Sequence, residues 1–267
     1  MQRVDQFTIG GLGLLLMPLL TMWHEIGGHA AVCALQGGQV KTIGAFYVAC
    51  DGLSGAADIR VAGAGVVVNA ILALAAYLLW RRAVRRSASD LARIILWLVW
   101  VSQGFVAAGY LLFSGVSGFG DLGIGKGGAL SGFGLPMPVR LIEIAVGLAS
   151  YIVLTRAANR TLSGMIGTGP ESQKARRVIA HGYYVSVGLA AVLVGILNPL
   201  GIMITAMSAA ASTFGGLAGF ISIGFGAGKE GEAKPVVIGR NLAIIGAGVP
   251  ASMAFALVFG PSLHFTG

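Results

Sequence analysis

Charged residues are scarce in this 267-residue chain: Asp, Glu, Lys and Arg make up 10% of it, whereas hydrophobic residues make up 56%. Soluble domains usually contain roughly 25% charged residues, so this composition excludes an ordinary soluble protein. The mean hydropathy is +0.84, and no stretch is polar enough to build a water-soluble domain. The composition therefore predicts a single transmembrane domain over residues 1–267.

Acidic residues are especially few. The chain has 10 Asp and Glu but 18 Lys and Arg, which gives a formal charge of +8. A basic balance of this size can indicate a nucleic-acid partner. Here, however, the basic residues flank apolar segments and form no continuous stripe. We therefore interpret them as topology signals that contact anionic lipids of the bilayer, and we expect no nucleic-acid partner.

Cysteine is nearly absent. The chain has only Cys33 and Cys50, which are too few for a disulfide-rich scaffold, and neither belongs to a CxxC pair. The two cysteines by themselves do not indicate the redox compartment of the protein.

Long hydrophobic runs, in contrast, are abundant. They predict an all-α, polytopic transmembrane protein with six or seven spans. Six is the alternative because the run that starts at residue 200 follows its predecessor after a very short link. The seven candidate runs cover residues 7–35, 61–80, 91–116, 139–156, 178–197, 200–227 and 236–259.

Residues 37–60, between the first two runs, are too polar to span a membrane. They contain two short runs that favour β-structure, 40–43 and 46–49, which predict a small hairpin. Non-helical backbone at membrane depth is tolerated where protein or a watery cavity covers it. The loop is therefore a candidate lining for a site, and an ordinary surface loop is the alternative.

Lys and Arg are distributed unevenly across the predicted loops. If the spans alternate in direction, 14 of the 18 basic residues lie on the side of the N-terminus, and only Lys41, Arg60, Lys126 and Arg140 lie on the other side. Cytoplasmic loops carry the excess of positive charge. This predicts a cytoplasmic N-terminus and an external C-terminus in a multi-pass protein of the plasma membrane, or of the inner membrane in a bacterium.

Three polar residues interrupt the first apolar run, in the sequence HEIGGH from His24 to His29. Ionisable residues inside a membrane span are costly and usually functional. Zinc chemistry accounts for all three together, because neutral imidazoles bind Zn²⁺ and a neighbouring Glu can accept the proton of a zinc-bound water. An interfacial cluster satisfied by neighbouring helices is the alternative.

This motif resembles the site-2 protease family of intramembrane zinc metalloproteases, whose first core helix carries H-E-x-G-H or a close relative. The family also has Gly-x-x-x-Asn in the next core helix, matched here from Gly65 to Asn69. Its third core helix supplies an Asp, usually after Asn-Pro. Here Asp121 stands in Phe-Gly-Asp-Leu-Gly without the Asn-Pro. The resemblance covers about residues 7–125 and implies a catalytic core in residues 1–130, followed by additional transmembrane helices in 131–267.

The resemblance implies that His24, His29 and Asp121 hold zinc, that Glu25 is the catalytic base, and that Asn69 binds the substrate backbone or the oxyanion. Asp121 also follows a span that runs parallel to the first, so it reaches the same side as the two histidines. Catalytic zinc usually takes three protein ligands. Alternatives are a turn-capping role for Asp121 and plain interhelical packing for Asn69, with His264 as a spare ligand.

HEIGGH is one residue longer than HExxH, and this difference has a geometric consequence. Five residues of a regular α-helix turn the chain by about 500°, which would leave His24 and His29 about 140° apart. They could then not share a metal ion. We therefore predict a π-type bulge or break between Glu25 and His29, which Gly27 and Gly28 make easier, with Asp121 close by.

The sequence thus predicts a zinc metallopeptidase that hydrolyses membrane-embedded or membrane-adjacent proteins with a zinc-activated water. A metal-binding transporter or an inactive relative acting as a membrane binding protein is the alternative, and a plain helical scaffold is the third. The charge distribution predicts a metal site in the non-cytoplasmic half of the membrane, whereas the resemblance implies the cytoplasmic half. We follow the charges. The sequence does not indicate an oligomeric state.

Overall fold

Helices dominate the computed structural model, which describes residues 3–167, 169–199, 201, 209, 213–226 and 235–265. Six of them are long and apolar enough to cross a membrane, which confirms the predicted all-α polytopic fold. In this part of the chain the helices are α1 Gln6–Leu35, α2 Ala56–Arg85, α3 Asp90–Ser117, α4 Pro138–Ile166, α5 Pro170–Ile196, α6 Gly219–Phe225 and α7 Leu242–Phe259.

Several helices extend beyond the predicted apolar runs. For example, α5 begins at Pro170 and continues through a basic turn before it becomes apolar, because hydropathy marks only the segment that lipid can cover. In contrast, α7 begins later than predicted, since Asn241 accepts a hydrogen bond from the Ile244 amide at 3.1 Å and caps the helix. The predicted run 200–227 lies partly outside the described residues.

Helices α1 and α7 lie side by side and run in the same direction. Gly11 packs against the backbone of Ile245, and the Ser252 hydroxyl donates to the Leu14 carbonyl at 2.6 Å. Before the two helices begin, Val4 forms a bridge with Ile238. The two helices therefore start on one side of the bundle and end on the other.

A three-stranded antiparallel sheet covers the far ends of α1 and α7. Its strands are β1 Gln39–Ile43, β2 Val48–Asp51 and β3 Leu263–His264, in the order β2-β1-β3. The predicted hairpin is confirmed, with its second strand two residues later than expected. The third strand, which comes from the C-terminal end of the described chain, was not predicted.

The outer face of α2 presents a row of apolar side chains. Val67, Ile71, Leu74 and Leu78 are each more than half exposed, and their spacing places them on one side of the helix. The opposite face of α2 packs on α1 and α3, where Asn69 is fully buried. Such an arrangement is typical of a helix with lipid on one side and protein on the other.

Candidate metal centre

A π-helical turn carries the two histidines of HEIGGH. It extends over Glu25–Ala30 within α1, so the predicted bulge is confirmed. The wider turn absorbs the additional residue and brings His24 and His29 to the same side, with their Nε2 atoms 3.1 Å apart. Gly28 allows α2 to approach this turn, because a Cβ at Gly28 would lie 2.7 Å from the Gly65 Cα.

Asp121 completes a group of three side chains. Its Oδ2 lies 3.2 Å from the His24 Nε2 and 3.4 Å from the His29 Nε2. Among the described residues this is the group whose His, Cys, Asp or Glu atoms converge closely enough to hold a metal ion. The structure therefore brings the three predicted ligands together.

A glycine-rich turn after α3 positions Asp121. Gly118 ends the helix in the left-handed conformation, with φ of 78° and its amide bonded to the Ser114 carbonyl. Gly120 also has a positive φ, 82°, and its carbonyl accepts from the amides of Gly123 and Ala129. Burial acts to raise the pKa of Asp121, but His29 and His24 outweigh it and hold this pKa below its usual range.

Each histidine has a partner for its other ring nitrogen. The His29 Nδ1 lies 2.7 Å from the Val61 carbonyl, to which it can only donate. The His24 Nδ1 lies 2.8 Å from the Asn69 carboxamide, and the Asn69 Oδ1 has no partner among the described residues. An amide assigned with nitrogen and oxygen exchanged would accept from a His24 Nδ1–H. Both imidazoles would then direct Nε2 lone pairs at Asp121.

This geometry fits a tetrahedral metal ion with one open position. Zinc bonds of about 2.0–2.1 Å place neighbouring ligand atoms of a tetrahedron about 3.3 Å apart, and the three distances here are 3.1, 3.2 and 3.4 Å. Three lone-pair atoms this close repel one another unless a cation or a proton lies among them. The donor set of two imidazoles and one carboxylate suits zinc.

Gly65 lies directly against this group. A Cβ at Gly65 would lie 2.4 Å from the His24 Nε2 and 2.6 Å from the His29 Nε2. No side chain fits there, so glycine at this position is required for the two imidazoles to converge. In the sequence, Gly65 stood out only as the first residue of the Gly-x-x-x-Asn match.

Glu25 lies beside His24, His29 and Asp121, which we call the ligand group. It is not one of the three. Its side chain is 3% exposed, and its Oε2 has no hydrogen-bond partner among the described residues. A carboxylate next in sequence to a ligand, buried and unpartnered, is placed to accept a proton.

Two cavities meet at the ligand group. We call the first the outer cleft: it measures about 720 Å³, and its lining includes His29, Asp121 and two residues of β2, Val48 and Cys50. We call the second the inner cavity: it measures about 70 Å³. Its lining includes His24, Glu25, Asn69, Ser102 and Gln103. The ligand group therefore has one side towards each space.

Tyr110, like Phe46, lines both cavities. Its ring stacks on the His24 imidazole, with centroids 5.1 Å apart and planes inclined by 21°. Sequence reasoning missed this residue, because its position on α3 carries no motif.

The other histidines lie elsewhere. His264 belongs to β3, and its Nδ1 is 3.1 Å from the Thr42 hydroxyl, so it is not part of the ligand group. His181 lies in a π-helical turn of α5, 3.1 Å from the Ile221 carbonyl.

Cys33 and Cys50 form a disulfide, with Cα atoms 6.1 Å apart. The bond joins the end of α1 to β2, just beyond His29. Two cysteines do not make a disulfide framework, but the position of one after the motif and the other in the predicted hairpin was a signal that could have suggested this pairing.

Comparisons with protein-family models, with curated proteins and with solved structures found no match for this chain.

Proposed function

We propose that this protein is an intramembrane zinc metallopeptidase that hydrolyses peptide bonds of membrane-embedded or membrane-adjacent proteins. The observation that carries the proposal is the convergence of His24, His29 and Asp121 beside Glu25, whose buried Oε2 has no partner in the part of the chain that the structure describes. Three ligands with an open fourth position are typical of catalytic zinc sites, whereas structural sites are closed by a fourth residue. When bound, zinc would acidify a water molecule and polarise the substrate carbonyl.

Glu25 would accept a proton from this water and pass it to the leaving amine. Addition of water across the peptide bond would join its oxygen to the carbonyl carbon and break the carbon–nitrogen bond, and the products would be a carboxylic acid and an amine. His24 and His29 hold their ring orientations through Asn69 and Val61. His24 and His29 are buried, so little bulk water reaches them. Their electrostatic interactions with a bound metal ion would therefore be stronger than in water.

The outer cleft is large enough for part of a peptide substrate. Its volume of about 720 Å³ lies within the range of ligand sites, roughly 300–1,000 Å³. Strand β2 borders the cleft and pairs only with β1 in the described sheet. Its other edge therefore offers backbone groups to an extended peptide, which would lie beside His29 and Asp121.

Glu25→Gln tests this function. The variant should keep one zinc per chain and lose peptide hydrolysis, because a base is removed and the ligands remain. Glu143→Gln is the matched control, since Glu143 is another buried glutamate with an unpartnered oxygen among the described residues, located on α4. It should remain active. Hydrolysis by Glu25→Gln at the wild-type rate would refute the mechanism.

A metal-binding transporter or an inactive binding protein with this fold would also hold zinc through His24 and His29. Hydrolysis distinguishes these alternatives from the peptidase. A transporter or binding protein would bind zinc, but even the wild type would not hydrolyse a membrane substrate. The buried Glu25 favours the hydrolase, since a transporter has no need of an unpartnered base beside its ligands.

We further propose that the metal centre opens to the non-cytoplasmic side. The 14 to 4 division of Lys and Arg supports a cytoplasmic N-terminus. The Cys33–Cys50 disulfide is an independent support, because it lies at the metal-site end of α1 and disulfides persist in oxidising compartments. Thiol labelling of Lys126→Cys and Arg82→Cys tests this orientation. Modification of position 126 from the cytoplasm would refute it.

A further inference from the structure

Gln103 carries a buried carboxamide. It lies in α3, is 3% exposed, and its Oε1 accepts no hydrogen bond from the described residues. Leaving a buried polar group unpaired costs roughly 1–3 kcal/mol. Nearly all buried polar groups in folded proteins have a protein or water partner, so this one requires an explanation.

Gln103 lines the inner cavity, where a partner for its oxygen has room to lie. It does so together with Glu25 and Asn69. The Gln103 Oε1 and the Glu25 Oε2 have no partner among the described residues, and neither has the Asn69 carboxamide atom that points away from the His24 Nδ1. Much of the remaining wall is apolar, including Met17, Leu20, Val106, Val187 and Leu217. Three polar groups thus share one small space in the interior of the bundle.

We infer that the inner cavity holds ordered water and that Gln103 retains it beside Glu25 for use in hydrolysis. The second part of this inference rests on the proposed function. A volume of about 70 Å³ has room for roughly two to five water molecules. Water both donates and accepts hydrogen bonds, so it satisfies the Glu25 and Gln103 oxygens as well as the Asn69 amide group. An apolar occupant would leave all of them unpaired.

The two cavities give water and substrate separate positions. Glu25 lines the inner cavity, whereas Asp121 and His29 line the outer cleft. A peptide in the cleft would cover the open side of the ligand group and displace the water there. Water on the other side of the group would remain in reach of Glu25. Gln103 is therefore a positioning residue, which acts through the water that it holds.

X-ray radiolytic labelling of the full-length protein in lipid nanodiscs tests the presence of this water, because hydroxyl radicals formed from ordered water oxidise the side chains beside it, and methionine becomes the sulfoxide. Met17 lines the inner cavity and is 3% exposed. Met165 is equally buried but packs against Trp80 in the core, which makes it an internal control. We expect Met17 to be labelled several-fold faster than Met165. Equal labelling of the two would overturn the inference.

Gln103→Leu should abolish this difference, since it removes the polar group without creating a large void. Gln103→Glu should preserve it. Bound zinc, measured separately, should be unchanged in both variants, and Gln103→Leu should lower kcat with little effect on KM. Rapid Met17 labelling in Gln103→Leu would refute the role of Gln103.

The two proposals fail in different ways. If the wild type shows the labelling difference but hydrolyses no substrate, the proteolytic function is wrong and the water site stands. If the wild type hydrolyses peptides while Met17 and Met165 are labelled equally, the function stands and the water site is wrong.

Discussion

Gly65 and His24 belong to neighbouring helices and approach so closely that a single methyl group at position 65 would lie 2.4 Å from the imidazole Nε2. The contact joins the two motifs of the chain, HEIGGH on α1 and GVVVN on α2. The two imidazoles can converge only because position 65 has no side chain.

Gly65→Ala should therefore lose bound zinc. The new Cβ would push aside both imidazoles, and a displacement of this size removes a shared coordination position. Gly63→Ala is the matched control on the same helix, because its Cβ would meet only the Leu122 side chain at 3.9 Å. Metal content of both purified variants decides the matter. Full zinc occupancy in a folded Gly65→Ala would contradict the prediction.

The two glycines of HEIGGH should differ in their tolerance of a side chain. Gly28→Ala should destabilise the protein by about 1–3 kcal/mol, because its Cβ would lie 2.7 Å from the Gly65 backbone and force α1 and α2 apart. Gly27→Ala should be tolerated, since its Cβ would contact only the Trp23 ring at 3.5 Å. Thermal unfolding in detergent measures the stability of both variants. Equal melting temperatures would show that the close approach of α1 and α2 at Gly28 does not limit stability.

Asn69→Leu should weaken zinc binding by about 10- to 100-fold, because the partner that orients His24 is lost. Asn69→Asp should restore most of the affinity, since a carboxylate also accepts from the His24 Nδ1. Zinc titration against a competing chelator measures the effect. If Asn69 instead binds the substrate, as the sequence predicted, Asn69→Leu would raise KM and leave the zinc affinity unchanged.

Removing the disulfide by replacing Cys33 and Cys50 with Ser should lower the free energy of unfolding by about 3 kcal/mol, the contribution expected for a loop of this length. The wild-type protein in a reducing agent should behave like the double variant. Zinc should remain bound to the folded protein, because neither cysteine is a ligand. An unchanged melting temperature would show that the sheet is held by β-pairing alone.

The bulge could be predicted because its determinant is local. The spacing of His24 and His29, combined with 3.6 residues per turn, required a π-type bulge if the two share a metal ion, and the structure contains one. Asp121 lies 97 residues from His24 and was named through the resemblance to the site-2 protease family. The parallel direction of α1 and α3 agreed with that choice.

The surroundings of the site depend on contacts between distant parts of the chain, which leave no local pattern. Strand β3 joins β1 across 222 residues, between Thr42 and His264. Gln103 and Tyr110 occur in an ordinary apolar run, and only the packing of α3 against α1 brings them to the ligand group. The sequence named the three residues that converge and one segment that lines the outer cleft, the loop 37–60. It did not indicate Gln103, Tyr110 or the third strand.

The pairing of α1 with α7 restricts how the site can open. Before the two helices begin, Val4 is bridged to Ile238, and beyond their far ends the backbone of β1 is bonded to β3. The helix that carries both histidines is thus held to the final helix along its length and at both ends. Asp121 lies outside this pairing, in the glycine-rich turn after α3, so we expect a proposed substrate to displace that turn more easily than α1.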